Sequence, residues 1–216
     1  MRLRLMGVVI GGMLAGAGLA AADEAIVGQP APGFSVTDTD GHTQTLSALR
    51  GKFVVLEWFN PECPFVRKHY GSGNMQATQK DATAKGAVWL SVDSAAPGKQ
   101  GHVTPEQANA FMQAQGGSPT AIVLDPDGTL GHRYGARTTP HLFIIDPTGT
   151  VVYTGAIDDT PSTDPADVVH ATNYVRQALS EAMAGTPVSV PASQPYGCSV
   201  KYRASAITND QIPSSK

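Results

Sequence analysis

Cysteine and charged side chains are both scarce in this chain of 216 residues. It has two cysteines, Cys63 and Cys198, and 15% of its residues are Asp, Glu, Lys or Arg. Two cysteines allow a single intramolecular disulfide and exclude a zinc site with four thiolate ligands. A net charge of −3 without a basic run argues against nucleic acid or anionic lipid as the main partner.

Long apolar runs are missing after the first 22 residues, where no segment approaches the roughly 20 residues that a membrane span needs. The beginning of the chain differs, because Arg2 and Arg4 precede an apolar stretch that ends near Leu19 and is followed by three alanines. This order is typical of a signal peptide. We expect cleavage after Ala22 and secretion across the inner membrane into the periplasm. An uncleaved N-terminal anchor is the alternative.

The rest of the chain has the composition of a folded domain. Apolar residues make up 41%, and 23 glycines and 16 prolines indicate short elements joined by tight turns. Alternating and β-branched runs predict a hairpin over 34–46 and five strands after it. These strands cover 53–59, 87–92, 120–124, 141–145 and 151–155. We expect an α/β domain over 23–185, with a central mixed sheet flanked by helices on both faces, and an irregular tail over 186–216.

Helix signals lie between these strands. Pro64 suits the first position of a helix, where its missing N–H costs nothing. Further helix starts are indicated at Asn74 after the glycines of 71–73, at Thr104 with its capping box, at Leu130, and at Asp164 for one last helix that reaches Met183.

The chemistry centres on Cys63, which stands between a buried strand and a helix. A thiol at a helix N-terminus faces unpaired N–H groups and the positive end of the helix dipole, and both favour the thiolate. Because Pro64 has no N–H, the donors would be those of Phe65 and Val66. Two basic residues that follow would add positive potential: Arg67 and Lys68. The alternative is an inert buried cysteine.

The strand, the Cys63-Pro64 helix start and the Thr139-Pro140 pair before a late strand together resemble the thioredoxin superfamily. The resemblance covers roughly 27–184 and implies that Pro140 is cis and lies beside Cys63, with Thr139 offering backbone pairing to a bound peptide or thiol. Within this superfamily, the chain most resembles a peroxiredoxin-like branch, the AhpC/TSA redoxin type, that keeps only the first cysteine of the thioredoxin pair. The segments that carry the narrower likeness are Asn60–Val66, Thr139–Asp146, Tyr153–Asp159 and Tyr196–Tyr202.

Two features depart from better-known relatives. Val66 stands where thioredoxins have the second cysteine, so it cannot resolve a mixed disulfide. Peroxiredoxins need the pattern Pro-x-x-x-Thr/Ser-x-x-Cys, but Leu56 and Asn60 occupy its first two places before Cys63. Ordinary peroxidase chemistry is therefore not indicated.

Cys198 is the remaining candidate partner for Cys63. It lies about 14 residues beyond the last expected helix, and an extended segment of that length reaches about 45 Å. Three interpretations stay open. Cys198 resolves redox intermediates of Cys63, forms a static disulfide with it, worth roughly 5 kcal/mol in the chain-entropy model, or remains separate as a free thiol or a link to another chain.

A soft copper site is a weaker alternative, in which His69, His141 and Cys63 would act with Met75 or Cys198. Their spacing is not typical of a metal motif, so we expect no metal and no cofactor. Asp158 and Asp159 are interpreted as a solvated loop pair rather than as an acid cluster near the site.

The sequence thus predicts an exported thiol–disulfide redox protein with Cys63 as nucleophile, Cys198 as candidate resolving residue, and Thr139 and Pro140 beside them. Its partners would be a thiol or disulfide substrate and an electron donor, without nucleic acid and, after signal cleavage, without a membrane. An atypical thiol peroxidase is the alternative enzyme. A binding module with a structural Cys63–Cys198 disulfide or a copper ligand is the alternative without catalysis.

Overall fold

The computed structural model describes residues 24–204. The predicted signal peptide, residues 1–22, therefore lies outside the described residues, as does the segment 205–216. Within 24–204, no helix is long and apolar enough to cross a membrane.

An N-terminal hairpin of β1 (Ser35–Thr37) and β2 (Thr43–Thr45) precedes the main sheet, as predicted. The other strands are β3 (Val54–Trp58), β4 (Val88–Asp93), β5 (Ala121–Leu124), β6 (Thr138–Thr139), β7 (His141–Ile145), β8 (Val151–Gly155) and β9 (Cys198–Ser199). The main sheet has the order β5-β4-β3-β7-β8, while β6 and β9 pair separately. β3, β4 and β5 run parallel, and β7 is antiparallel to both β3 and β8. The expected mixed sheet is confirmed.

Side chains of β3 alternate between two hydrophobic cores, one on each face of the sheet. Val55 points into the core that contains most of the helices, whereas Leu56 and Trp58 point into the core beneath the hairpin. The helices are α1 (Pro64–Gly71), α2 (Asn74–Ala84), α3 (Pro105–Gln115), α4 (Thr129–Tyr134) and α5 (Tyr174–Met183). α4 packs on the hairpin side through Leu130 and Tyr134, so helices cover both faces.

Glu57 is the one charged residue of β3, and it is fully buried. Four donors satisfy its carboxyl group: the Tyr70 hydroxyl, the Gln79 amide, the Trp89 indole and the Ser91 hydroxyl, at 2.8–3.0 Å. Burial raises the pKa of Glu57 despite these hydrogen bonds. The network fixes α1 and α2 to the middle of the sheet, because Tyr70 and Gln79 come from those two helices.

Two details of the helices differ from the sequence prediction. Asn74 does not cap α2, because Gly73 occupies the cap position with a φ of 76°, and Asn74 is already helical. The single helix from Asp164 to Met183 is wrong. Asp164 caps only a 3-10 segment over Pro165–Val169, and α5 begins afresh where the Asn173 side chain accepts a hydrogen bond from the Arg176 N–H.

Candidate active site

A tight turn presents Cys63 at the start of α1. The Asn60 side chain accepts a hydrogen bond from the Glu62 N–H at 2.8 Å, and the Asn60 carbonyl accepts from the Cys63 N–H at 3.1 Å. Cys63 is the N-cap residue of α1, with Pro64 at the first helical position. Its side chain does not cap the helix, so the sulfur is left for other partners, and it is completely buried.

The loop before β7 supplies the first of those partners. The Thr139–Pro140 peptide bond is cis, as predicted. The Cys63 thiol donates a hydrogen bond to the Thr139 carbonyl at 3.0 Å. The Thr139 hydroxyl is buried and has no conventional hydrogen-bond partner in the structure, yet it lies close enough to the sulfur to favour the thiolate. Thr139 therefore holds the thiol with its carbonyl and can serve the thiolate with its hydroxyl.

The C-terminal tail supplies the second partner. β9 pairs antiparallel with β6, so Cys198 lies opposite Thr139 and the Cys198 N–H points at the Cys63 sulfur. The two cysteines are not joined by a disulfide, but the Cys198 thiol donates a hydrogen bond to Cys63. Gly197 makes this approach possible, because a Cβ atom there would lie 2.1 Å from the Thr139 carbonyl oxygen.

The pKa values of the two thiols move in opposite directions. Burial alone would raise the pKa of Cys63, but hydrogen bonds outweigh it and the pKa is lowered. The groups that lower it are the Cys198 thiol, the Thr139 hydroxyl and the backbone N–H groups of Val66 and Cys198, all of which favour the thiolate. Burial, the hydrogen bond given to Cys63 and the charge on Cys63 together raise the pKa of Cys198 to about 11. The arrangement thus favours Cys63 as the thiolate and Cys198 as the thiol.

The other predicted site residues fall into two groups. Val66 is buried, and its N–H lies close enough to the Cys63 sulfur to lower the pKa of the thiol, whereas Phe65 packs edge-on against Tyr196. The two basic side chains that follow are hydrogen-bonded to backbone carbonyl groups. Arg67 turns back to the Pro61 carbonyl at 3.0 Å, and Lys68 is buried with its ammonium group on the Thr160 carbonyl at 2.7 Å.

A buried polar cluster beside α1 was not anticipated from the sequence. Asn74 donates to Nδ1 of His69 at 3.0 Å, which leaves the imidazole proton on Nε2, 3.0 Å from the Tyr196 hydroxyl. That hydroxyl donates in turn to Asp158, which also lies 4.0 Å from the Lys68 ammonium group. Burial, followed by the charge of Lys68, lowers the pKa of His69 to about 3, so the histidine is neutral at pH 7.

This cluster corrects the interpretation of Asp158 and Asp159 as a solvated pair. Asp158 is 2% exposed, whereas Asp159 is exposed and accepts a hydrogen bond from the Thr172 N–H. The sequence shows only a lysine and a histidine in α1 and two aspartates after β8. None of these residues is informative alone, because their contact depends on the fold.

The copper hypothesis finds no arrangement to support it in residues 24–204. No group of three or more His, Cys, Asp and Glu side chains is placed to hold a metal ion. Both ring nitrogens of His69 are occupied by Asn74 and Tyr196, and those of His141 lie 3.3 Å from the Arg137 N–H and the Thr154 hydroxyl.

Comparison with known proteins agrees with this architecture. The model of the AhpC/TSA family matches residues 27–154, more than half of the chain. Among curated proteins, the chain is 27% identical over 128 residues to the thiol:disulfide interchange protein DsbE of Allochromatium vinosum. That match covers 58% of this chain and 64% of the relative, so the chain spans less than two thirds of the relative's length.

Solved structures with the same fold cover most of the chain. A hypothetical protein from Sinorhizobium meliloti 1021 has a TM-score of 0.68 at 23% identity, over 84% of this chain and 97% of that one. An uncharacterized conserved protein from Geobacillus kaustophilus has a TM-score of 0.69 at 24% identity, over 84% of this chain and 94% of that one. The predicted thioredoxin-like fold is confirmed.

Proposed function

The chain belongs to the AhpC/TSA family, and from that premise we propose that it is a thiol–disulfide oxidoreductase with Cys63 as nucleophile and Cys198 as resolving residue. The observation that carries the proposal is the pairing of β9 with β6, which brings the sulfur of Cys198 to that of Cys63. The lowered pKa of Cys63 supports its role as the attacking thiolate. The name of the Allochromatium vinosum relative supports the same reaction class.

The reaction begins when Cys63 loses its proton to solvent and its thiolate attacks one sulfur of a client disulfide. A bond forms between Cys63 and that sulfur, and the other client sulfur leaves as a thiolate. Cys198 gives its proton to this leaving thiolate and attacks the Cys63 sulfur. The Cys63–Cys198 bond forms, and the second client sulfur leaves and takes a proton from solvent. Two electrons have then passed from the protein to the client, and an external dithiol restores both cysteines.

The timing of the second step follows from the electrostatics of the pair. The charge on Cys63 is one cause of the raised pKa of Cys198. In the mixed disulfide Cys63 carries no charge, so this cause disappears and the pKa of Cys198 falls toward its ordinary value. Cys198 is thereby held as an unreactive thiol until Cys63 has captured a client.

Disulfide mapping of the full chain tests this proposal. The reduced protein is treated with one equivalent of oxidised glutathione, quenched in acid and digested. We expect a Cys63–Cys198 bridge in the wild type, a lasting glutathione adduct on Cys63 in Cys198→Ser, and little adduct on Cys198 in Cys63→Ser. If a dithiol reduced the Cys63–Cys198 bridge only after the protein had unfolded, the bridge would be a static structural disulfide. Absence of the bridge under every oxidant would remove the resolving role.

A parallel arm with hydrogen peroxide separates exchange from peroxidase activity. The missing Pro-x-x-x-Thr/Ser pattern before Cys63 leads us to expect peroxide consumption no faster than that of an ordinary thiol. Rapid peroxide turnover that depends on Cys63 would favour the atypical peroxidase instead.

Export and domain organisation belong to the same proposal. We place the folded unit at 23–185 with the tail at 186–216, after a signal peptide over 1–22 and in an oxidising compartment. N-terminal sequencing of the protein recovered from a periplasmic extract tests this, and an N-terminus at Asp23 is the expected result. An intact N-terminus on membranes would indicate the uncleaved anchor.

A further inference from the structure

Residues Tyr196–Tyr202, here called the strap, cross the site as an extended segment fixed at three places. At its centre, β9 pairs with β6, and the Val200 N–H donates to the Arg137 carbonyl at 2.9 Å. This is the geometry of a peptide that adds a strand to a sheet edge, where backbone pairing gives affinity and side-chain pockets give specificity.

The first side-chain pocket holds Tyr196, two residues before Cys198. Its hydroxyl donates to Asp158 and lies 3.0 Å from Nε2 of His69, while its ring packs edge-on against Phe65 with 5.8 Å between centroids. The ammonium group of Lys68 lies 5.8 Å from the same ring. Polar groups therefore meet the phenol hydroxyl, and an aromatic and a cationic group meet the ring.

The second pocket holds Tyr202, four residues after Cys198. Its ring stacks on His132 with 4.0 Å between centroids, and its hydroxyl donates to the Ala136 carbonyl at 2.8 Å. Glycine makes room for it, because a Cβ atom on Gly131 would lie 2.3 Å from the Tyr202 hydroxyl oxygen and one on Gly128 would lie 2.7 Å from the ring. The surface of α4 is thus shaped to receive an aromatic side chain.

Exposure differs sharply between the strap and what it covers. Tyr196, Gly197 and Cys198 are only half-buried, whereas Cys63 and Thr139 beneath them are 0% and 2% exposed. A client sulfur therefore cannot reach Cys63 while the strap is in place. The strand that the strap contributes pairs only with β6, outside the five-stranded sheet, so departure of the strap leaves the pairing of the main sheet intact.

We propose that the strap is an internal ligand of a peptide-binding groove, and that an extended client segment with a cysteine and an aromatic residue two positions before it competes for the same groove. Client binding exposes Cys63 by displacing the strap. Return of the strap delivers Cys198 to Cys63 and expels the client, so that resolution and release occur together. This deepens the proposed function and rests on it for the fate of the client cysteine.

Binding of a cysteine-free peptide tests the groove separately from the redox chemistry. The probe is a fluorescent peptide with the sequence of residues 194–203 in which Cys198 is replaced by serine, added to the reduced full chain. Gly197→Ala in the protein should weaken the strap, because the new Cβ meets the Thr139 carbonyl. Gly185→Ala is the matched control, since Gly185 also has a positive φ but no atom lies within 4 Å of its Cβ position.

We expect the peptide to bind Gly197→Ala roughly tenfold or more tightly than the wild type or Gly185→Ala, because a competing strap lowers the fraction of open groove. A probe that also carries Tyr196→Ala should lose most of this affinity. On the wild type, saturating peptide should increase hydrogen exchange at the Cys198 and Val200 amides. Equal affinity for all three proteins, or no binding to Gly197→Ala, would overturn the proposal.

A second variant covers the case in which Gly197→Ala does not fold. Tyr196→Phe removes one hydroxyl and keeps the ring, so it should loosen the strap less and increase peptide affinity by a smaller factor. Because the probe has no sulfur and the protein is kept reduced, these results do not depend on whether oxidants can form a Cys63–Cys198 bridge. Failure of the groove and failure of the redox proposal are therefore distinguishable.

Discussion

The two cysteines differ in which groups surround their sulfur atoms. The Val66 N–H, the Thr139 hydroxyl and the N–H and thiol of Cys198 all lower the pKa of Cys63, whereas the Cys198 thiol is a donor to Cys63 and its own pKa is raised. Only Val66 belongs to the helix start from which the sequence predicted an activated thiol. The remaining stabilisation of the thiolate comes from the cis-proline loop and the tail, so activation of Cys63 is a property of three segments together.

The Thr139 hydroxyl provides a direct test of this account. Replacing Thr139 by the isosteric valine removes a donor that can serve the thiolate, so we expect the pKa of Cys63 to rise by about one unit, or about 1.4 kcal/mol. The measurement is a pH titration of thiolate absorbance in Cys198→Ser and in the double variant.

Thr138→Val is the matched control, because the Thr138 hydroxyl donates to the Pro140 carbonyl at 3.0 Å rather than to the sulfur. It should leave the Cys63 titration unchanged. Equal shifts in the two variants would mean that valine alters the loop rather than removing a donor.

Val66 offers a second test at the scale of a single residue. It is buried at the place of the second thioredoxin cysteine, and its N–H lowers the pKa of Cys63. Val66→Cys should therefore create or strongly raise insulin reductase activity, because a resolving thiol would stand beside the nucleophile. Val175→Cys places the same thiol in the same core on α5 and should give no gain. A folded Val66→Cys protein without increased activity would show that α1 does not begin with thioredoxin geometry.

At the scale of elements, the positions of most strands and helices could be predicted from the sequence because local patterns determine them. The β3 run is buried on both faces as its continuous apolar sequence indicated, and the Thr104 capping box is present at the start of α3. The prediction of one last helix was wrong because apolar residues at helical spacing on both sides of 170–173 were assigned to a single helix. In the structure this stretch leaves the helix, and Val169 is 79% exposed.

The tail and the polar cluster could not be predicted because their contacts are distant in sequence. Tyr196 meets His69 across 127 positions, and Lys68 meets the Thr160 carbonyl across 92. From the sequence, Lys68 was interpreted as positive potential near Cys63 and His69 as a weak candidate for a copper ligand, and residues 186–216 were predicted to form an irregular tail. The register of the tail depends on the close approach of Gly197 to the Thr139 carbonyl, which is likewise distant in sequence.

The buried cluster predicts a strong asymmetry between two adjacent aspartates. Asp158→Asn removes the charge beside the buried Lys68 ammonium group and weakens the acceptor for Tyr196. Leaving a buried charge without its counter-ion costs about 3 kcal/mol or more. Asp159→Asn changes an exposed side chain and should cost less than about 1 kcal/mol.

Denaturant unfolding followed by circular dichroism measures both aspartate variants. Losses of similar size at the two positions would contradict the role assigned to Asp158. Such a result would indicate that the loop geometry, rather than the charge beside Lys68, determines the stability of this region.

For the whole molecule, stability at acid pH is set by buried groups that oppose one another. Burial, then the charge of Arg137, lowers the pKa of His141 to about 3, and the pKa of His69 is lowered similarly. Because the unfolded chain binds these protons from about pH 6.5 downward, both histidines reduce stability as pH falls from there toward 3. Burial raises the pKa of Asp93 to about 7, so the native state gains a proton first and stability rises between pH 7 and about 4.

The histidines and Asp93 change the unfolding free energy with pH in opposite directions. The pH dependence of the wild type alone therefore does not test either effect, whereas the difference between the wild type and a variant does. The Arg137 N–H donates to Nδ1 of His141, so protonation there would set two N–H groups against each other. His141→Asn keeps an acceptor for that N–H and removes the titration. Between pH 6.5 and 4.5 the wild type should therefore lose roughly 2 kcal/mol of unfolding free energy relative to the variant, as the slope grows from half to nearly all of about 1.4 kcal/mol per pH unit. Urea unfolding across this range measures the difference, with His102→Asn as control, since His102 is more exposed and contacts the Ala95 carbonyl. Parallel pH profiles for wild type and His141→Asn would show that His141 is protonated in the folded protein.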